Sequence, residues 1–304
     1  MHMIVPPPLQ KGQKVAIVAP ARHIDENAID KAIEIFEAWD LEVAPGRHLF
    51  SSYHQFAGHD QQRAMDLQQA IQDPDIRAIF CVRGGYGTTR MIDMVDFNPL
   101  RRSPKWIVGF SDITAILSQL HNLGIESIHG IMPALFGREG TEAAVESLRK
   151  ILFAEEDSYF INPHKLNKNG VAKGNLVGGN LSILCHLIGS DTDLVTDGTI
   201  LFIEDVDEYL YRIDRMMVQM KRSGKLEMLA GLVVGHFTDM KDDETAGFGK
   251  DVYEIIMEHV SEYKYPVCFG FPAGHEVNNL ALPIARYCTL KVDKFGGILT
   301  LGNN

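Results

Sequence analysis

Four segments hold side chains whose types and setting could do chemistry. Cys81-Val-Arg-Gly-Gly-Tyr-Gly87 follows an apolar run, and its glycines admit positive φ and let backbone N–H groups approach a ligand. The turn is either a structural tight turn or part of an anion or oxyanion site. No Gly-Lys-Ser/Thr follows it, which argues against a phosphate cradle. In Val108-Gly-Phe-Ser-Asp-Ile-Thr114 an apolar stretch runs directly into Ser111 and a helical pattern opens behind it. On such an elbow a serine presents its hydroxyl at the rim of a sheet while the next backbone N–H faces a developing oxyanion. The same residue in the same place also serves as an ordinary helix cap. Ile113 stands where G-x-S-x-G has its second glycine, so an α/β-hydrolase is not supported.

The third segment, Thr199-Ile-Leu-Phe-Ile-Glu-Asp205, ends an apolar strand in two adjacent carboxylates that alternate faces. One of them can orient a histidine while the other meets solvent, or both simply terminate the strand. The fourth, Gly270-Phe-Pro-Ala-Gly-His-Glu-Val-Asn-Asn279, places His275 in a Gly/Pro-rich loop. His23, His129, His186 and His236 compete with it for the role of a base, and residue type alone leaves that choice open. There is no H-E-x-x-H, and His236 with Asp239, Asp242, Asp243 and Glu244 lacks a zinc spacing, so no metal and no cofactor is expected. Cys81 precedes its turn instead of occupying an elbow and reads as a buried thiol.

The elements that must position these residues alternate. A strand at Lys14–Pro20 leads to a helix through Ala32, Ile35, Phe36 and Trp39. Next come a helix at Gln61–Ile71, a strand at Ala78–Val82, a helix near Thr88–Met94, a strand at Trp106–Phe110 and a helix at Ile113–Leu123. Continuous apolar strands alternating with amphipathic helices imply a parallel sheet covered on both faces, which binds ligands beyond the carboxyl ends of its strands. Residues 162–169 turn polar and read as a linker. Two domains are therefore expected, 1–162 and 163–304. The second mixes strands at Thr199–Ile203, Leu232–Val234, Tyr287–Val292 and Ile298–Leu301 with helices near Asn180–Ile188, Glu208–Lys221 and Val252–Glu262.

Composition sets outer bounds. The chain has 304 residues, 45% hydrophobic and 23% charged, enough for two packed cores. A net charge of -11 and the absence of a basic run interleaved with aromatics argue against nucleic acid as a partner on electrostatic grounds. Met1–Gln10 carries three prolines but no basic start followed by an apolar core, and no apolar run approaches the ~20 residues of a membrane span. The four cysteines are widely spaced without a C-x-x-C pair. The expectation is a cytoplasmic protein in a reducing compartment, with no membrane partner.

Taken together, Val15–Ala21 (V-A-I-V-A-P-A), Ala78–Gly87 (A-I-F-C-V-R-G-G-Y-G), Val108–Thr114 (V-G-F-S-D-I-T), Gly178–Ser182 (G-G-N-L-S) and Tyr211–Met216 (Y-R-I-D-R-M) resemble the LD-carboxypeptidase family. These are also called muramoyltetrapeptide carboxypeptidases, and they include the microcin self-immunity peptidases. The resemblance spans nearly the whole chain. Ile131, where a proline is common after the glycine, is a small departure near His129.

That resemblance implies an α/β fold: a flavodoxin-like parallel-sheet N-terminal domain, a smaller mixed α/β C-terminal domain, and an active site in the cleft between them. It implies Ser111 as nucleophile, His275 as general base and acid, Glu204 as the carboxylate behind it, and an oxyanion hole from the N–H groups of Gly85 and Asp112. Arg83, Asn180 and Arg212 are candidates for holding a peptide's carboxylates. The implied activity is a serine peptidase that releases the terminal D-alanine of murein tetrapeptide in cell-wall recycling, from a homodimer. A hydrolase of peptidyl or aminoacyl nucleotides is the alternative, although neither Trp39 nor Trp106 lies in a loop placed to stack a base. A non-catalytic peptide-binding protein is the alternative of another class.

Overall fold

Apolar, β-branched runs between helical patterns form strands buried on both faces. The computed structural model describes residues 3–156 and 158–302. Its strands are β1 (Lys14–Val18), β2 (Glu42–Pro45), β3 (Ile76–Cys81), β4 (Trp106–Gly109), β5 (Ser127–His129), β6 (Ser158–Ile161), β7 (Gly170–Asn180), β8 (Ile200–Val206), β9 (Gly231–Thr238), β10 (Val267–Phe269), β11 (Leu282–Ile284), β12 (Tyr287–Asp293) and β13 (Gly296–Leu301). Its helices are α1 (Asp30–Ala38), α2 (Asp60–Gln72), α3 (Thr88–Met91), α4 (Thr114–Asn122), α5 (Glu142–Leu152), α6 (Leu181–Leu187), α7 (Leu210–Arg222) and α8 (Val252–Val260). They fall into two compact units, Met1–Glu156 with Val277–Ala285, and Asp157–Glu276 with Arg286–Asn304. Among the described residues no helix is long and apolar enough to cross a membrane.

The sheet of the first unit runs β11-β5-β4-β3-β1-β2. All its pairs are parallel except β11 with β5. The order β2-β1-β3-β4-β5 is that of the flavodoxin-like fold, in which strand order reverses between β1 and β3 and the carboxyl ends there face the ligand. β4 is buried at every position, and α4 is buried on most of its surface, from Thr114 through Ser118 and at Leu120 and His121. Two buried cations brace the unit from within. Lys105 donates to the carbonyl of Ala70 at 2.9 Å, and Arg63 donates to the carbonyls of Pro20 and Gly87. Each therefore stitches a helix to a strand end or a loop.

In the second unit the order is β10-β9-β8-β7-β12-β13-β6, parallel from β7 to β10 and antiparallel for the rest. β7 is rich in glycine because neighbouring backbone comes very close: a Cβ on Gly174 would stand 2.4 Å from the carbonyl oxygen of Gly198. Val177, Ile203, Met217, Val234 and Ile256 belong to one core under α7 and α8. Asp251 and Glu254 form a capping box that starts α8.

The polar run 162–169 is bound into this second unit. Lys168 and Val267 exchange backbone hydrogen bonds, and Asn167 accepts from the N–H of Phe269 at 2.8 Å. β6, which precedes that run, pairs with β13 of the same unit, so the change of unit falls ahead of residue 162. Val277–Ala285, from the C-terminal half of the chain, returns to the first unit through β11.

Candidate active site

Ser111 follows β4 by way of Phe110 and opens a short 3-10 turn, Ser111–Ile113, that leads into α4. Its φ is 63°, in the left-handed region where a residue with a Cβ pays about 1–2 kcal/mol. The geometry rests on glycines. A Cβ on Gly109 would stand 2.8 Å from the side chain of Ile113, and one on Gly84 would stand 3.1 Å from Ser111 Oγ. Ser111 is thus half-buried and strained between a strand and a helix, a placement that a nucleophile elbow shares.

Around it, the glycine-rich turn is fastened to the elbow. Asp112 is buried, and its carboxylate accepts a 2.8 Å hydrogen bond from the backbone N–H of Thr88, the first residue of α3. Gly85 and Gly87 hold φ of 114° and 136°, values that L side chains rarely adopt. A Cβ on Gly84 would lie 3.4 Å from the backbone nitrogen of Asp112, so the turn's backbone packs directly on the start of the elbow. Cys81 is buried at the end of β3, and burial first, then the charge of Asp112, push its thiol far up. That is the state of a structural cysteine.

In the second unit, β8 ends in a register irregularity between Ile203 and Asp205. Such a bulge re-aims side chains beside functional sites. Glu204 is wholly buried, and its Oε2 lies 2.7 Å from Nδ1 of His275. The proton on Nδ1 then points at the carboxylate, which leaves the basic lone pair on Nε2. Burial works against the imidazolium, but the hydrogen bond to Glu204 and the charges of Glu204 and Asp205 outweigh it, so the pKa of His275 is raised. Gly274, at φ 137°, lets the loop approach: a Cβ there would be 3.2 Å from Glu204 Oε2. His236 has its pKa lowered, chiefly by burial.

Asp205 does not meet solvent as one reading of the acidic pair expects; it is 2% exposed. Its carboxylate accepts from the N–H of Ser182 at 2.9 Å, the hydroxyl of Ser182 at 2.7 Å and the amide of Asn180 at 3.0 Å. Burial, then the neighbouring Glu204, push its carboxyl up to about 6 against those donors. The two acids thus diverge in partners as they alternate along the strand: Glu204 to the histidine, Asp205 to the start of α6.

Residues 15–130 match the LD-carboxypeptidase N-terminal domain and residues 173–290 match the LD-carboxypeptidase C-terminal domain. The chain belongs to the LD-carboxypeptidase family. It is 32% identical to the murein tetrapeptide carboxypeptidase of Pseudomonas aeruginosa, covering 91% of this chain and 93% of that one. To a protein of Bacillus subtilis described as a probable murein peptide carboxypeptidase it is also 32% identical, over 98% of this chain and 94% of the other. Among solved structures, the muramoyltetrapeptide carboxypeptidase of Oxalobacter formigenes superposes with a TM-score of 0.87 at 29% identity, covering 96% of this chain and 99% of that one.

This member of the family holds Ser111, Asp112, Gly85 and Arg83 in its first unit, and Glu204, His275, Asn180 and Arg212 in its second. Arg83 is half-buried, with Nη1 donating to the carbonyl of His23 at 3.3 Å. Asn180 caps α6: its Oδ1 accepts from the N–H of Ile183 at 3.1 Å while its amide donates to Asp205. Arg212 lies on the surface of α7, 3.3 Å from Glu208 and over the rings of Tyr209 and Tyr211. Sequence reasoning gave no role to Gly84, Gly274, Ser182 or the side chain of Asp112. Gly84 and Ser182 stand inside recognisable motifs, but their duties depend on Ser111 and Asp205, which lie far off in sequence.

Proposed function

We propose that this peptidase is a serine LD-carboxypeptidase acting on a murein-derived tetrapeptide, L-Ala-γ-D-Glu-meso-diaminopimelyl-D-Ala, and releasing its terminal D-alanine. The observation that carries the reading is the buried carboxylate of Glu204 at 2.7 Å from Nδ1 of His275. In a family of peptidases, an imidazole so oriented is a base awaiting a nucleophile.

In this mechanism Ser111 Oγ attacks the carbonyl of the diaminopimelyl–D-alanine bond as Nε2 of His275 takes its proton. Glu204 stabilises the imidazolium that forms, and the N–H groups of Gly85 and Asp112 receive the oxyanion. Collapse breaks the C–N bond, and His275 returns the proton to the leaving amine of D-alanine. Water, deprotonated by the same imidazole, then hydrolyses the acyl-enzyme and restores the serine. The strained backbone of Ser111 and the packing of Gly84 on it support the nucleophile's role. No metal enters the scheme, and the recycling role in a cytoplasmic homodimer belongs to the same proposal.

The test is alanine release from the tetrapeptide and from its L-alanine-terminated analogue, followed by mass spectrometry with Ser111→Ala as control. Release from the D-terminated peptide alone, lost in the variant, is expected. Release from neither peptide, or an active variant, overturns the proposal.

A further inference from the structure

Three guanidinium groups stand around the glycine-rich turn. Arg22 lies just past β1, Arg83 just past β3, and Arg138 just past the 3-10 turn Pro133–Leu135 that follows β5. All three therefore leave the sheet of the first unit beyond the carboxyl ends of parallel strands. Arg22 and Arg83 flank the reversal of strand order between β1 and β3, where folds of this type bind their ligands.

The backbone fixes each of them. Arg22 forms an antiparallel bridge with Phe56, and its side chain crosses the face of Gly85, on which a Cβ would lie 2.6 Å from Arg22 Cδ. Arg83 directly precedes Gly84, the glycine that packs on Ser111. The N–H of Ala134 donates to the carbonyl of Val82 at 3.0 Å, which draws the segment leading to Arg138 against the end of β3.

Three arginines of this unit have carboxylate partners: Arg63 and Arg90 share Asp60, and Arg149 pairs with Glu146 and Glu155. Among the described residues Arg22, Arg83 and Arg138 form no ion pair with a carboxylate. Arg83 is held below the ordinary guanidinium range, by burial first and then by the charges of Arg22 and Arg138. Like charges gathered without a counter-ion repel until an anion joins them, and in a chain of net charge -11 they are a local exception that can attract one.

We infer that Arg22, Arg83 and Arg138 together receive the free α-carboxylate of the substrate's terminal residue and so confine the protein to exopeptidase cleavage. The inference rests on the hydrolysis proposed above. That carboxylate belongs to the residue released, a few bonds from the carbonyl under attack, so its receptor has to lie beside the turn that faces the oxyanion. A neutral amide or a further residue there leaves the guanidinium groups without a partner, and unpaired groups in a site built for charge are a strong basis for rejection.

The experiment measures binding separately from turnover. Ser111→Ala protein is titrated with the tetrapeptide and with its C-terminal carboxamide, alone and combined with Arg22→Ala, Arg83→Ala or Arg138→Ala. The free acid should bind more tightly by about 10-fold or more, as expected for a charge-assisted pair lost in the amide. Each arginine variant should shrink that ratio toward one, and Arg83→Lys should restore part of it. Arg22 and Arg138 are exposed, so their replacement leaves the fold standing. Equal affinity for acid and amide, including no measurable binding of either, overturns the inference, as does a ratio that survives all three variants. Failure of wild-type protein to release alanine from a peptide that binds in this pattern counts against the proposed reaction alone.

Discussion

Gly84 lies so close to Ser111 that a Cβ on it would stand 2.9 Å from the serine's Cβ and 3.1 Å from its hydroxyl oxygen. The glycine is needed for space beside the elbow. Alanine at this position has to push the serine aside, and displacement of a reacting group by about 1 Å costs about 100-fold. We expect Gly84→Ala to fold and to lose kcat on that scale, as read from alanine release; an unchanged kcat contradicts the close packing.

Ser111 carries its own strain at φ 63°. Ser111→Ala and Ser111→Gly both lack the hydroxyl, but only glycine relieves the left-handed backbone. Denaturant unfolding should find the glycine variant more stable than the alanine variant by about 1 kcal/mol. Equal stabilities, or a less stable glycine variant, speak against a strained elbow.

Glu204 raises the pKa of His275 against the effect of burial. In the proposed mechanism His275 works as a neutral base, so activity should fall as pH drops through that raised pKa. In Glu204→Gln the charge is gone while burial remains, and the acidic limb of kcat/KM against pH should move to lower pH. Its kcat should also fall, by up to about 10,000-fold on the scale of an acid-to-amide change in a serine triad. A limb that stays in place would show that Glu204 does not act through the imidazole.

Asp205 has its carboxyl pushed from 3.8 up to about 6. A raised folded-state pKa adds stability that is present below the unfolded pKa and lost as pH rises through the folded one. Thermal unfolding of wild type relative to Asp205→Asn should therefore favour wild type increasingly as pH falls from about 6 toward 4. A difference independent of pH in that window contradicts the burial argument.

Much of the architecture was legible because the first unit's strands are short apolar runs between helical patterns. Lys14–Val18, Ile76–Cys81 and Trp106–Gly109 all lie where such runs end at turn residues. β7 was not legible: no strand was expected at residues 170–180, and its glycines are explained only by the neighbouring backbone. β11 is three residues long with a proline in the middle, and its place beside β5 depends on the chain's return to the first unit. In the site, the serine elbow and the acidic pair showed in local pattern. The burial of Asp205 and the arginines without a carboxylate partner did not, since both depend on what lies around them in space.

The central claim is that Ser111, activated through His275 and Glu204, forms an acyl-enzyme with the tetrapeptide. Rapid acid quench followed by mass spectrometry of the digested protein tests it most directly. We expect the tripeptidyl acyl group on the peptide containing Ser111, its formation slowed in His275→Ala and absent in Ser111→Ala. Alanine release by wild type with no acyl group under any quench time, or acylation of another residue, contradicts the account.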